Sequence, residues 1–316
     1  MVPIEPSKTL APGNLQDQIL SIVPEIKSLA DIEVEIPFNV DSSDICTQQW
    51  DILSEIINRK MDNYDGFVII HGTDTMAYTA SALSYSLLNL KKPVILTGAQ
   101  RPLAKLRTDA RSNLIDAIEL ATKSVPEVVI VFGQRVLRGN RAIKISNRSY
   151  DAFDSPNYPL LGNIGLDIRL NEKYFLSNSL PFKYNPGFKA KAMVIYIHPA
   201  LDPQLYEPLI GGDLYAFIFV GYGAGNFPTK GPNWIPLIKK AIERRKAVFI
   251  ASHSIFGTID PGLYESGKQA LDLGVSNIED MTIEGAYVKL LKILNYTTER
   301  NVIYERFHNN LAGEIG

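Results

Sequence analysis

Short, nearly all-apolar runs alternate with amphipathic stretches along most of the chain. Phe67-Val68-Ile69-Ile70, Pro93-Val94-Ile95-Leu96 and Val128-Val129-Ile130-Val131-Phe132 are rich in β-branched residues, as strands covered on both faces must be. Between the first two, Met76, Ala80, Leu83 and Leu87 recur at spacings of 4, 3 and 4, which predicts one helix face within residues 75–90. Leu114, Ile118 and Ala121 mark a second helix before the third run. Strand, helix, strand, helix, strand implies an α/β domain with a parallel sheet and right-handed crossovers.

From residue 161 to 189 the rhythm gives way to Gly, Asn and Pro, as in Ser177-Asn178-Ser179-Leu180-Pro181 and Asn185-Pro186-Gly187. It restarts with Met193-Val194-Ile195-Tyr196-Ile197, Ala216-Phe217-Ile218-Phe219-Val220 and Ala247-Val248-Phe249-Ile250. A helix over 234–245 carries Ile235, Ile238 and Ile242 on one stripe, and residues 283–311 read as two closing helices. The expected organisation is a larger N-terminal α/β domain (1–175) holding most of the active site, a linker (176–190) and a smaller C-terminal α/β domain (191–316). Residues 1–13, with Pro3, Pro6 and Pro12, read as loop without a strand, and the first helix starts near Asn14.

Composition narrows the function classes. The 316 residues carry 32 Lys and Arg against 34 Asp and Glu, and a net charge of −2 excludes a sequence-blind nucleic-acid binder. The single cysteine, Cys46, excludes an internal disulfide framework and a cysteine zinc cluster. His71, His198, His253 and His308 are too scattered for a local metal motif, so no metal is expected. No apolar run approaches the roughly 20 residues that span a bilayer, and no leader pattern opens the chain. These observations predict a soluble, cytoplasmic protein with neither nucleic-acid nor membrane partners.

Ligands of open parallel sheets bind beyond the carboxyl ends of the strands. After the first run come His71-Gly72-Thr73-Asp74-Thr75. Thr73 and Asp74 suit an anion or oxyanion site, but on spacing alone an ordinary helix N-cap is the stronger reading. Arg101 and Arg107 are expected to be solvated or paired with Asp109. The run from Gly133 to Lys144 reads as an exposed basic loop or, alternatively, as the source of one inward lysine, Lys144, for general-base work. Asp41-Ser42-Ser43-Asp44 offers turn chemistry or a polar ligand cradle ahead of a helix capped at Thr47, with Trp50, Leu53 and Ile57 buried. Gly221-Tyr222-Gly223-Ala224-Gly225-Asn226 lacks the ending of a phosphate loop and the spacing of a dinucleotide fingerprint. The residues alone support a two-domain α/β enzyme using Thr, Asp and Lys at a sheet's edge, without naming a substrate.

The stretch His71-Gly72-Thr73-Asp74-Thr75-Met76-Ala77-Tyr78-Thr79-Ala80-Ser81-Ala82-Leu83-Ser84 resembles the second signature of the bacterial-type L-asparaginases, in its cytoplasmic type I form. Asp41-Ser42-Ser43-Asp44, Arg138-Gly139-Asn140-Arg141 with Lys144, Gly223-Ala224-Gly225-Asn226 and Asp280-Met281-Thr282-Ile283-Glu284 follow in that family's order and spacing. The resemblance implies a flavodoxin-like N-terminal sheet and cofactor-free hydrolysis of L-asparagine to L-aspartate and ammonia. It implies a Thr73, Asp74 and Lys144 proton relay and substrate binding by Asp41, Ser42, Ser43, Thr73 and Asp74. It also implies that Asn226 reaches the site of a neighbouring subunit, in a homodimer or homotetramer. Members of the family open with a hydrophobic strand and Thr-Gly-Gly-Thr-Ile, whose first threonine attacks the amide. The resemblance therefore implies that this nucleophile and the first strand of the N-terminal sheet are absent here, and that the family's flexible-loop tyrosine has no counterpart among residues 4–10. A chain of this form is expected to be inactive. The other readings are a catalytically dead amino-acid-binding relative and a glutaminase or amidotransferase-type activity.

Overall fold

The computed structural model describes residues 23–177 and 179–316, together with the backbone of two short strands, Val2–Ile4 (β1) and Thr9–Ala11 (β2). These two pair antiparallel, which corrects the loop reading for those six residues. Pro3 is accommodated because a two-stranded ribbon consists of edge strands, where a missing N–H can face outward. The helix expected to begin near Asn14 lies outside the described residues. The chain divides into two compact units, Met1–Pro186 and Gly187–Gly316.

In the first unit the three apolar runs form β3 (Phe67–Ile70), β5 (Val94–Thr97) and β6 (Val128–Phe132), paired in parallel as expected. Between β3 and β5 the helix is Met76–Ser86, shorter than the periodicity predicts. Leu87 and Leu88 leave it to form β4, which pairs with Lys183–Tyr184, and Asn89 turns the chain at a left-handed φ of 58°. The helix Ala110–Ala121 links β5 to β6.

The expected parallel pairing holds for β3, β5 and β6, and beyond β6 the sheet continues with antiparallel strands. Gly133 and Gln134 both adopt positive φ, 56° and 65°, and close a tight hairpin into β7 (Arg135–Arg138). A two-residue turn can join only antiparallel neighbours. Two short strands, Ile143–Lys144 (β8) and Phe153–Asp154 (β9), pair with each other, and Gly162–Ile164 (β10) and Ile168–Leu170 (β11) complete the sheet in the order β11-β10-β7-β6-β5-β3. Alternate residues feed two cores: Val94, Leu96, Val128 and Ile130 face Leu53, Met76 and Leu83, while Ile95, Val129 and Val131 face Ala117 and Leu120. Both faces of the central strands are thus covered, the condition that made them read as continuous apolar runs.

The second unit holds a four-stranded parallel sheet, Ala192–Tyr196, Ala216–Gly221, Ala247–Ser252 and Ser276–Asn277. The helix Ile235–Glu243 buries Leu237, Ile238 and Ala241, so its inward stripe is centred one residue away from Ile235 and Ile242. The closing helices are Ile283–Leu294 and Arg300–His308. The tail returns to them through a fully buried ion pair, Lys289 Nζ to Glu314 Oε1 at 2.5 Å.

Candidate active site

Two loops and one short strand of the first unit converge beyond the ends of β3 and β5. The first loop leaves β3 at His71, whose N–H still donates to Thr97 O at 2.8 Å. At Gly72 a Cβ would stand 2.7 Å from Ser42 Oγ, so only glycine lets the Asp41-Ser42-Ser43 turn lie against this loop. Thr75 Oγ1 donates to Ser42 O at 2.6 Å and locks the two together. Thr75, rather than Thr73 or Asp74, occupies the N-cap position of Met76–Ser86, so the capping interpretation of those two residues fails. Their side chains are engaged elsewhere.

That partner is Lys144. Its Nζ donates to Thr73 Oγ1 at 2.7 Å and to Asp74 Oδ1 at 2.5 Å. The lysine side chain is 17% exposed and the aspartate 68%, so the ammonium is largely withdrawn from water while Asp74 faces outward. Lys144 sits on β8 (Ile143–Lys144), opposite Phe153 in the antiparallel partner Phe153–Asp154, and Phe153 packs on Phe132. The preceding segment is not an exposed basic loop. Arg138 and Arg141 are buried, because Arg138 pairs with buried Glu127 at 2.6 Å and both guanidiniums lie over the Tyr158 ring. Burying these two cations in satisfied positions fixes the base from which Lys144 projects.

Asp41 Oδ1 accepts from Ser43 N at 2.9 Å and Ser43 Oγ at 2.8 Å. The Ser43 N–H first, and then its hydroxyl, holds the Asp41 carboxyl below the usual carboxylate range. Beneath this turn the helix Thr47–Lys60 is capped at Cys46, whose N–H donates to Gln49 Oε1, and not at Thr47. It buries Trp50, Leu53 and Ile57. Asp109 pairs with neither Arg101 nor Arg107 through a guanidinium. Its two oxygens accept the backbone N–H groups of Gln100 and Arg101 at 2.9 and 3.0 Å, and the Arg101 guanidinium donates to Leu106 O.

Asn226 belongs to the second unit. Its backbone exchanges two 2.7 Å hydrogen bonds with Tyr222, and its Oδ1 accepts from the Ser266 hydroxyl. The structure therefore gathers Asp41, Ser42, Ser43, Thr73, Asp74 and Lys144 within one unit, and Asn226 stands in the other. Among the described residues no group of three or more His, Cys, Asp or Glu is placed to hold a metal ion.

Sequence reasoning missed two supports of this site. His71 is buried, and its Nδ1 donates to Gly72 O at 2.6 Å while Nε2 meets Thr79 Oγ1 at 2.9 Å. Thr79 in turn accepts from Trp50 Nε1 at 3.1 Å. The other is Gln100, which contacts Thr73. A buried threonine on the inner face of an apolar helix was the available signal for the first; the second left none.

The first 175 residues match the family model described as "Asparaginase, N-terminal", and residues 191–307 match "Glutaminase/Asparaginase C-terminal domain". The chain belongs to the asparaginase family. Among relatives of this asparaginase-family chain, L-asparaginase 1 of Escherichia coli (strain K12) is 36% identical over 308 residues, covering 96% of this chain and 90% of that protein. An L-asparaginase of Dirofilaria immitis is 38% identical over 81% of this chain, which spans only 44% of that longer protein. The crystal structure of L-asparaginase I from Vibrio cholerae superposes with a TM-score of 0.89 at 33% identity, covering 100% of this chain and 96% of that one. As an asparaginase-type amidohydrolase, the chain is an enzyme of mixed α/β architecture with a smaller parallel C-terminal sheet.

Proposed function

We propose that this enzyme hydrolyses L-asparagine to L-aspartate and ammonia, without a metal or cofactor. The observation that carries the reading is the convergence of Lys144 on Thr73 and Asp74 beyond the end of β3. A threonine hydroxyl attacks the side-chain amide carbon. Its proton passes through the Thr73 hydroxyl to the uncharged amine of Lys144 and from there to the departing ammonia, while Asp74 stabilises the ammonium that Lys144 becomes in between. Water then cleaves the acyl ester and releases aspartate. Asp41, kept ionised by Ser43, faces the α-ammonium, and Ser42 and Ser43 help hold the α-carboxylate.

The attacking threonine comes, on this reading, from a further strand seated on β3. Among the described residues β3 pairs only with β5. Its four residues are all apolar, yet three are only partly buried and Ile70 is 45% exposed. Such a composition suits an interior strand with neighbours on both edges.

Ammonia release from L-asparagine, by the 316-residue chain and by a form extended upstream with a hydrophobic strand ending in Thr-Gly-Gly-Thr, tests both parts. Turnover only in the extended form is expected. Equal turnover in both would remove the strand proposal, and aspartate binding without turnover in either would leave an amino-acid-binding relative. The description of the C-terminal family model favours a glutamine assay beside the first, because one methylene separates the substrates and is worth about 1–3 kcal/mol in a pocket. The proposal extends to assembly: a homodimer or homotetramer in which Asn226 reaches a neighbouring copy's site, checked by light scattering on the purified protein. A free, exposed Cys46 as the only cysteine fits a reducing, cytoplasmic location.

A further inference from the structure

We propose that Gln100 is a positioning residue that ties the segment following Lys144 to Thr73 and fixes where the Thr73 hydroxyl points. The proposal rests on the asparaginase reading of Thr73 and Lys144 but concerns a residue outside that relay. Gln100 lies on the turn after β5, half-buried between three segments distant in sequence. Its Nε2 donates to Ser146 O at 3.1 Å and to Ser149 O at 3.0 Å, and its Oε1 accepts from Thr73 Oγ1 at 3.4 Å. Carbonyl oxygens only accept, so the amide has one chemically sensible orientation, with both its hydrogens committed to the 146–149 segment. Thr73 has a single hydroxyl hydrogen and already accepts from Lys144 Nζ. The remaining direction for that hydrogen is Gln100.

The turn that carries Gln100 is itself anchored. Asp109, buried, accepts the N–H groups of both Gln100 and Arg101, and buried Asn113 donates to Asp109 Oδ2 at 3.2 Å and to Gly98 O at 2.9 Å. At Gly98 a Cβ would stand 2.2 Å from His71 O, so the turn rests directly on the Thr73 loop. On the far side, Ser146 Oγ accepts from the N–H groups of Arg148 and Ser149, which presents both carbonyls as one unit. The helix Ala110–Ala121 is thereby connected through Asp109 and Gln100 to Thr73 and to the segment that follows Lys144. An amide suits this place. It neither gains nor loses a proton, so it orients Thr73 without competing for the proton that Thr73 and Lys144 exchange. A carboxylate there would draw the Lys144 ammonium from Asp74 and lose both N–H donors.

Gln100→Leu and Gln100→Glu, each in the form of the enzyme that turns over asparagine, test the assignment by two readouts. Amide hydrogen exchange across residues 146–150 is expected to rise by about tenfold or more in both variants, with the melting temperature close to that of the parent. In steady state, kcat is expected to fall by roughly 10²-fold with KM for asparagine nearly unchanged, because the Asp41 turn is untouched. The Glu variant should also show a changed pH profile of kcat, which the Leu variant should not. Unchanged exchange at 146–150 in both variants, or a loss confined to KM, would overturn the proposal. If the parent enzyme proves not to hydrolyse asparagine, the exchange readout still decides the structural link. Failure of the function and failure of this inference are therefore told apart.

Discussion

At the residue scale the site rests on a short buried chain of hydrogen bonds behind its first loop. His71 Nδ1 faces a carbonyl and carries a proton, so in the neutral imidazole Nε2 accepts from the Thr79 hydroxyl, which itself accepts from Trp50. The neutral imidazole thus joins Trp50, Thr79, His71 and Gly72 in one buried chain. Burial pushes the His71 pKa below its usual 6.5, with the Gly72 carbonyl opposing more weakly. The unfolded chain then binds more protons than the folded one as pH drops below that value, so this contribution is complete above about pH 6.5 and lost on acidification. Urea unfolding of the parent and of His71→Asn at pH 7.5 and 5.5 should show a steeper acid loss in the parent, and equal slopes would refute the assignment. Thr79→Val is expected to cost about 1–3 kcal/mol by stranding two buried partners. In the active form, Lys144→Met should lower kcat by roughly 10²–10⁴-fold, read by ammonia release, with the fold intact by circular dichroism. Of these residues Thr73, Asp74 and Lys144 were singled out through family resemblance, while spacing alone favoured a helix cap for Thr73 and Asp74 and left Lys144 open. His71 and Gln100 were illegible because the side chain and carbonyls that give them their roles, Thr79 for the first and Ser146 and Ser149 for the second, stand 8 to 49 positions away, and only the folded chain brings them together.

At the element scale, legibility followed burial. The parallel strands β3, β5 and β6 announced themselves because every residue but Thr97 is apolar, and β5 and β6 are buried along their whole length. Strands such as Gly162–Ile164 and Ile168–Leu170 are too short and too polar for such a signal, so the edge of the sheet read as punctuation. The junction of the Asp41 turn with the Thr73 loop was equally hidden, since a glycine after a strand promises a turn without saying what packs on it. Gly72→Ala puts a methyl 2.7 Å from Ser42 Oγ and 2.8 Å from its Cβ, and the Asp41 turn must move away. Overpacking of this kind costs about 1–3 kcal/mol. The expected result is a raised KM for asparagine with a smaller effect on kcat, the reverse of the pattern expected at Gln100. An unchanged KM would mean that the Asp41 turn does not seat the substrate.

At the scale of the whole molecule, each unit has its own core, and the tail of the second is held by charges instead of apolar packing. Glu314, fully buried, accepts from Leu311 N and Ala312 N and pairs with Lys289, which also donates to Asn309 O. Burial lowers the Lys289 pKa from its ordinary value more strongly than Glu314 raises it. Desolvation therefore outweighs attraction at this lysine, and the pair secures the position of the tail more than it adds stability. Removing one partner leaves the other charge buried and alone, so Glu314→Gln is expected to cost about 3–5 kcal/mol. Adding Lys289→Met removes the stranded ammonium, while the glutamine oxygen still accepts from one backbone N–H. The double variant should therefore recover at least half of the single variant's loss in urea unfolding. A double variant as unstable as the sum of its single changes would show that the pair is a net source of stability, contrary to the direction of the Lys289 shift.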